Sequence, residues 1–416
     1  MTATLAAPGR LLHQTQFLRL WFARLTSTLS YYIMAIAIGW KIYAVTGSAL
    51  DLGFVGLIQF IPAVIFTLAI GEIADRYDRR MIIRAAQCTN ACAALTLIVV
   101  FLDPTPNVKL LFGAVFLIGT ARAFELPASQ SFVPALVPPA ILPRATAAWA
   151  SANQVAVIGG PAAGGFIYAV DPVFVPVLAL ILLSVAFTLV TLIRVQRRPP
   201  PRHPPTLKSV LAGFDYIRSK PRLLGVITLD LFVALLGGVT ALLPIYAHDI
   251  LHAGPSGLGL LRSAPAIGAL ATTVLLSHFP VERRIGAKMF TVVALYGAAT
   301  MLFSLSTWLP LSMTALAVLG AADSVSVVIR FSLVQIETPD EMRGRVSAIN
   351  YLFVNTSNTL GEFESGAVAA WLGAVSSAFI GGLGSLLVAA IWMIIFPSLR
   401  AVDRYQPANM ENTQGG

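Results

Sequence analysis

Charge is what this chain has least of: only 11% of its 416 residues are Asp, Glu, Lys or Arg, against about 25% in an ordinary soluble domain. That scarcity excludes a soluble globular protein. Cysteine is nearly absent as well, with Cys88 and Cys92 alone in the chain. They lie four apart, so a bond between them would constrain nothing, and two thiols cannot cage a metal. Both are expected to serve as small packing residues. No Gly-rich loop ending in Lys and Ser or Thr occurs, which argues against ATP drive. No small-residue cleavage site follows the first apolar run, so that run is expected to stay as a span. Histidine is sparse, and His248-Asp249-Ile250-Leu251-His252 is the one pair at zinc spacing. A zinc hydrolase needs Glu after the first His, where this chain has Asp, and no third ligand is evident. The expectation is no metal, no cofactor and no enzyme.

What the chain has is hydrophobicity: 57% apolar residues and a mean hydropathy of +0.79. A spanning helix takes about 20 mostly apolar residues. Apolar runs between charged or Pro/Gly-rich breaks fall at 19–46, 50–71, 81–102, 109–133, 144–170, 173–194, 222–250, 255–277, 288–307, 309–332, 345–372 and 375–397. The expected fold is therefore an all-α integral membrane protein of twelve transmembrane helices. The net charge of +9 would suggest nucleic acid in a soluble protein, but here position decides. Arg24, Arg122, Arg262 and Arg330 fall inside spans and Lys41 and Lys109 at outward ends, while the other basic residues occupy alternate loops and both termini. By the positive-inside rule both ends are cytoplasmic, and the charge reports topology in a multi-pass cell-membrane protein, expected in the bacterial inner membrane. The parts are a tail (1–18), a six-helix bundle (19–195), a cytoplasmic linker (196–221), a second bundle (222–398) and a tail (399–416). The linker begins with proline-rich sequence at 197–205, expected to be extended. It continues with Leu207, Val210, Leu211, Phe214 and Ile217 at helical spacing, an amphipathic helix expected along the inner membrane surface.

The two halves repeat. At an offset of 201, Ser131, Pro138, Arg144, Gly160 and Gly165 meet Ser332, Pro339, Arg345, Gly361 and Gly366, and at 203 Ile42-Tyr43-Ala44 recurs as Ile245-Tyr246-Ala247. Two pseudo-symmetric bundles follow from the sequence itself. The fourth span carries Arg122 and Glu125 three apart, hence on one helix face. At 1.5 Å per residue Arg122 lies on the order of 16 Å from the inner end. A charge that deep must face protein or a water-filled cavity.

Between the second and third spans stands Gly71-Glu-Ile-Ala-Asp75-Arg76-Tyr-Asp-Arg79-Arg80. With Ile73 for Leu and Asp78 for Gly, this block resembles the signature of the major facilitator superfamily. Ile118 to Arg122 is similar to that superfamily's fourth-helix motif, with Glu125 where Gln is common. Gly160-Pro161-Ala-Ala-Gly164-Gly165 resembles its antiporter motif, with Ala156 in place of an upstream Gly. Arg122 to Pro127 and Pro339 to Arg345 are similar to the enterobactin-exporter and macrolide-efflux branch. The second copy of the signature loop, His278 to Arg284, keeps a basic pair but lacks the Gly and the Asp, so a gating role falls mainly on the first copy.

The resemblance implies that the first, fourth, seventh and tenth spans line a central cavity. The intramembrane charges that look unpaired, Arg24, Arg122 with Glu125, Asp230 and Asp323, fall on those spans. Glu125 is the expected proton carrier with Arg122 tuning it, Asp323 a second acidic site and Asp230 a further member. The alternative is a static buried pair that only fixes helix packing. Gly71, Asp75, Arg76, Arg79 and Arg80 with Arg345 form the expected gate, Asp75 facing the start of the eleventh span. Gly160, Pro161, Gly164 and Gly165 form a packing motif. Arg24, Tyr31, Tyr32, Gln59, Phe124, Phe232, Arg262, Tyr351, Asn355, Glu362 and Glu364 are candidates for the substrate cavity. The expected function is secondary active, proton-coupled efflux of an amphipathic compound, a drug or siderophore, by a monomer in the lipid bilayer. A lysophospholipid or lipid translocator on the same fold, and a non-transporting receptor or scaffold, remain as alternatives.

Overall fold

The computed structural model describes residues 11–194 and 207–405, with the side chains at 12, 67–76, 207–212, 340 and 348 outside the described residues. Among the described residues all regular structure is helical, in the order α1 (Thr15–Thr46), α2 (Ala49–Arg76), α3 (Arg79–Leu102), α4 (Val108–Phe132), α5 (Leu142–Val170) and α6 (Phe174–Thr191). Then come α7 (Leu207–Ser219), α8 (Pro221–Leu236), α9 (Gly254–His278), α10 (Ile285–Leu305), α11 (Leu309–Glu337), α12 (Asp340–Leu372) and α13 (Ala374–Ile395). The boundaries have local causes. Gly47 closes α1 in the left-handed conformation at φ 61°, its amide returning to the Tyr43 carbonyl. Asp78 opens α3 by accepting the Arg80 amide at 2.9 Å, and Asn107 opens α4 by accepting that of Lys109 at 2.9 Å.

Ten stretches among the described residues are helical, long and apolar enough to cross a membrane. Helices α5 and α12, of 29 and 33 residues, have the length but are rich in small and polar residues and are not among the ten.

The chain divides into two compact units, 1–47 with 58–204 and 254–263, and 48–57 with 205–253 and 264–416. In the first, α1 packs on α5 and α6, and α3 on α4 and α6. Its core gathers Phe17, Leu20, Ile83, Phe132 and Val190. In the second, α8 packs on α12 and α13, and α10 on α11 and α13. Leu223, Ile227, Phe290, Ile329 and Val346 form its core. The pattern of partners is the same in both.

The expected span 222–250 is one of the ten, as Pro221–Ile250, but it is interrupted: α8 stops at Leu236, and Val239–Leu242, Leu243–Ile245 and Tyr246–Ile250 form successive short helical turns of different pitch. The break falls at Gly237 and Gly238. A Cβ on Gly238 would strike the Gly361 carbonyl, and the Gly237 carbonyl accepts from the Tyr296 hydroxyl at 3.1 Å. Backbone proximity to α12, rather than hydrophobicity, sets the end of the helix. Cys88 and Cys92 are exposed rather than packed. Helix α7 forms, but part of its apolar face is taken by protein: Ile217 is buried in the second unit's core, and Gly213 lies against Arg345 and Ile349. Its Tyr216 donates to the Glu337 carbonyl at 3.2 Å, and burial, then the Glu337 carboxylate, push the Tyr216 pKa up so that the hydroxyl stays a donor. The proline-rich stretch 197–205 lies outside the described residues.

Candidate functional site

In the first unit, Glu125 projects from α4 at 5% exposure. The Ser27 hydroxyl donates to its Oε1 at 2.7 Å. Gln87 supplies a further side-chain hydrogen bond, and Arg24 and Arg122 are the charges acting on it. A buried carboxylate survives on such partners, because desolvation otherwise costs several kcal/mol per ion. The Arg24 guanidinium lies 5.6 Å from the Trp149 ring and 3.4 Å from Asn153 Oδ1. That of Arg122 sits 3.7 Å over the Tyr31 ring, an arrangement worth about 2 kcal/mol when desolvated. Tyr31 in turn donates to Gln59 Oε1 at 3.1 Å and meets Tyr32 edge-on at 5.0 Å. These groups surround a cavity of about 240 Å³, counted with its open mouth, lined by Arg24, Thr28, Tyr31, Asn90, Arg122 and Glu125 among others.

The second unit builds a cluster at the corresponding junction of α8, α10 and α11. Arg330 makes an ion pair with Asp230, and its Nη2 lies 3.8 Å from Asp323 Oδ1. A cavity of about 270 Å³ opens there, lined by these three with Tyr296 and Ser326 among others. The Asp323 side chain is 55% exposed, whereas Asp230 and Arg330 are mostly covered. Asp230 and Asp323 are therefore not the unpaired charges the sequence suggested, because both draw on Arg330. Sequence reasoning counted Arg330 as an intramembrane cation and gave it no role. Its position seven residues beyond Asp323, two turns along the same helix face, is the signal that was available. Asp230 comes from another helix and carries no such signal. The first cavity thus carries two guanidiniums to one carboxylate, and the second two carboxylates to one guanidinium.

The remaining candidates are spread more widely. Glu362 accepts from Thr240 at 3.2 Å, while Glu364 meets Ser365 at 3.4 Å. Phe124 packs on Phe66 with ring centroids 5.6 Å apart and Phe232 on Trp392 at 5.1 Å. Arg262 is half-buried on α9. Tyr351 is 62% exposed, and Asn355 donates to its carbonyl at 2.8 Å. Neither cavity is lined by Arg262, Phe232, Tyr351 or Asn355. Gly160 lies where a Cβ would come 2.5 Å from that of Tyr32, Gly164 would meet the Ile33 backbone at 3.0 Å, and Gly165 abuts Pro255 and Gly259. Pro161 lies inside the continuous α5. In the signature block, Arg80 pairs with Asp78 at 2.6 Å and donates to the Ile193 carbonyl at 2.9 Å. Asp78, the departure from the superfamily pattern, is thereby both helix cap and anion. Arg79 is half-buried beside it. The side chains of Asp75 and Arg76, like residue Gly71, fall within 67–76, outside the described side chains. Arg345 donates to Met342 Sδ at 3.5 Å. His248 pairs with Asp249 at 2.5 Å in the turn before α9.

Comparison with known proteins extends over this whole arrangement. The family profile for transmembrane secretion effectors matches residues 4–414. The enterobactin exporter EntS of Citrobacter koseri is 26% identical over 398 residues, 94% of each chain. That of Shigella dysenteriae serotype 1 is 25% identical over 397 residues, again 94% of each. Among solved structures, a bacterial homolog of the human lysosomal transporter Spinster superposes with a TM-score of 0.72 at 14% identity, covering 96% of this chain and 100% of its own. A bacterial homologue of the iron transporter ferroportin does so at 0.71 and 16%, covering 95% and 100%. The nucleoside transporter NupG (D323A mutant) gives 0.74 at 13% identity, with 92% and 100% covered. At these identities the structures speak for the fold alone.

Proposed function

From a chain that belongs to the transmembrane secretion effector family of the major facilitator superfamily, and is thus a multi-pass membrane transporter and not an enzyme, we propose proton-coupled export of an amphipathic organic compound, a siderophore or similar metabolite. In this reading α5 and α12 also cross the bilayer, giving twelve spans in two pseudo-symmetric bundles joined by the 196–221 linker. Both termini face the cytoplasm of a bacterial inner membrane, the protein acts as a monomer, and transport proceeds by alternating access.

The observation that carries the reading is Glu125, a buried carboxylate held between Arg24 and Arg122 at an open cavity. Protonation of Glu125 removes one negative charge from between two guanidiniums, which strengthens the site for an anionic or electron-rich group of the substrate. Binding such a group in turn raises the affinity of Glu125 for a proton by the same factor, and this reciprocity links the proton to the substrate at one site. Asp323 serves as a second acidic site, with Asp230 held closer to Arg330. The alignment with enterobactin exporters over 94% of the chain supports a siderophore as the cargo. A scaffold has no use for these charges, each of which costs at least ~2.5 kcal/mol at the centre of a span.

Replacement of Glu125 by Gln tests the coupling. In everted vesicles the variant should insert normally and bind substrate, yet lose pH-driven flux by about tenfold or more. Undiminished coupled transport would mean that the pair only fixes helix packing.

A further inference from the structure

The cavity of the first unit contains oxygens that nothing among the described residues satisfies. Asn90 Oδ1 from α3 and Thr28 Oγ1 from α1 are fully buried and have no hydrogen-bond partner among the described residues. Both side chains are 3% exposed, and both line the space shared with Glu125. A third such atom, Gln87 Oε1, lies on a side chain that itself bonds Glu125. Each buried acceptor left without a donor costs about 1–3 kcal/mol. Leucine and valine would fill the same positions without that cost. Oxygens in this number around one carboxylate point to a small hydrogen-bond donor between them.

We infer that Asn90 and Thr28 hold a water molecule against Glu125, and that Glu125 gains and loses its proton through this water. The inference rests on Glu125 being the coupling carboxylate proposed above. Size and chemistry select water. Behind its mouth the cavity has room for about one water, and a water both donates and accepts, so it satisfies the Asn90 amide in either orientation and the Thr28 hydroxyl as well. The charged groups facing Glu125 are Arg24 from α1 and Arg122 from its own helix, and two guanidiniums repel a metal cation. With Ser27 already bonded to Oε1, the other carboxyl oxygen has capacity for the water. On release, the carboxyl O–H breaks as a new O–H forms on the water, and the water gives one of its own protons to solvent in the mouth. Uptake is the reverse, so no proton or electron pair is left over. Asn90 and Thr28 are thus positioning residues, acting through the water they hold.

Infrared difference spectroscopy of the full-length protein in lipid, without substrate, tests this. The carboxylic C=O band abolished by Glu125→Gln is followed after transfer to D2O. A substrate hydroxyl cannot serve as the donor in that sample. Asn90→Leu and Thr28→Val should slow exchange of the band by about tenfold or more, and Thr28→Ser, which keeps the hydroxyl, should exchange like the wild type. The Val and Ser pair decides even if Asn90→Leu fails to fold. A Glu125 band whose exchange is unchanged in Thr28→Val overturns the inference alone. If no band responds to Glu125→Gln at any pH, the coupling reading fails and the water site falls with it.

Discussion

Arg330 is the one guanidinium shared by two carboxylates in the second unit's cluster, in contact with Asp230 and 3.8 Å from Asp323. Removing one member of such a cluster costs more than removing all of it, because the survivors keep their desolvation penalty and lose their compensation. Arg330→Met should therefore destabilise the protein by about 3–5 kcal/mol, seen as a lower thermal midpoint in detergent. Asp230→Asn in the same chain should recover part of that loss. If Arg330→Met melts like the wild type, the ion pair contributes nothing to the fold. The first unit's cluster was half legible at this scale: Arg122 and Glu125 declare themselves by i, i+3 spacing, and Arg24 as a cation inside an apolar span. Ser27, Gln87, Thr28 and Asn90 did not, because a neutral polar residue in an apolar run carries no sign of which helix it will meet.

At the scale of elements, close approach between helices depends on glycines, among them two that lie 201 apart, Gly119 and Gly320. A Cβ on Gly119 would strike the Gln59 carbonyl of α2, and one on Gly320 the Pro265 carbonyl of α9. Both obstacles are backbone, so no side chain can swing aside and the helices must separate. Helix association in lipid relies on such contacts, since there is no hydrophobic force between helices there. Gly119→Ala should cost about 1–3 kcal/mol and lower the thermal midpoint. Gly113→Ala on the same helix, where nothing lies within 4 Å of a Cβ, should be neutral or slightly stabilising. Equal midpoints for the two variants would show that α4 tolerates displacement. The spans themselves were readable because length and hydropathy are one-dimensional properties. The end of α8 was not: Gly237 and Gly238 sit in unbroken apolar sequence, and only the backbone of α12 shows why the helix stops there.

At the scale of the whole molecule, the two units repeat their helix pairings, α1 with α5 and α6 matched by α8 with α12 and α13, and α3 with α4 and α6 matched by α10 with α11 and α13. The sequence offset foretold this repetition, because equivalent positions must bury equivalent faces. The same offset sets Asp323 opposite Arg122 and Ser326 opposite Glu125, which already marks a change of charge; what it could not foretell is that Asp230 from another helix joins Arg330 there, so that the charge balance at the equivalent junctions is opposite in sign. That asymmetry bears on cargo. On the proposed reading, the first cavity's two guanidiniums suit a ligand rich in anionic oxygen rather than a cationic drug. Expressed in a host lacking its own enterobactin exporter, the wild-type chain should raise extracellular enterobactin several-fold over empty vector, and Glu125→Gln should stay near the vector level with equal protein in the membrane. A screen in the same host should give little protection against cationic dyes. Enterobactin secretion no higher than with empty vector, together with accelerated flip of a labelled lysophospholipid, would reassign the cargo to lipid while leaving the fold and its charged cavities as described.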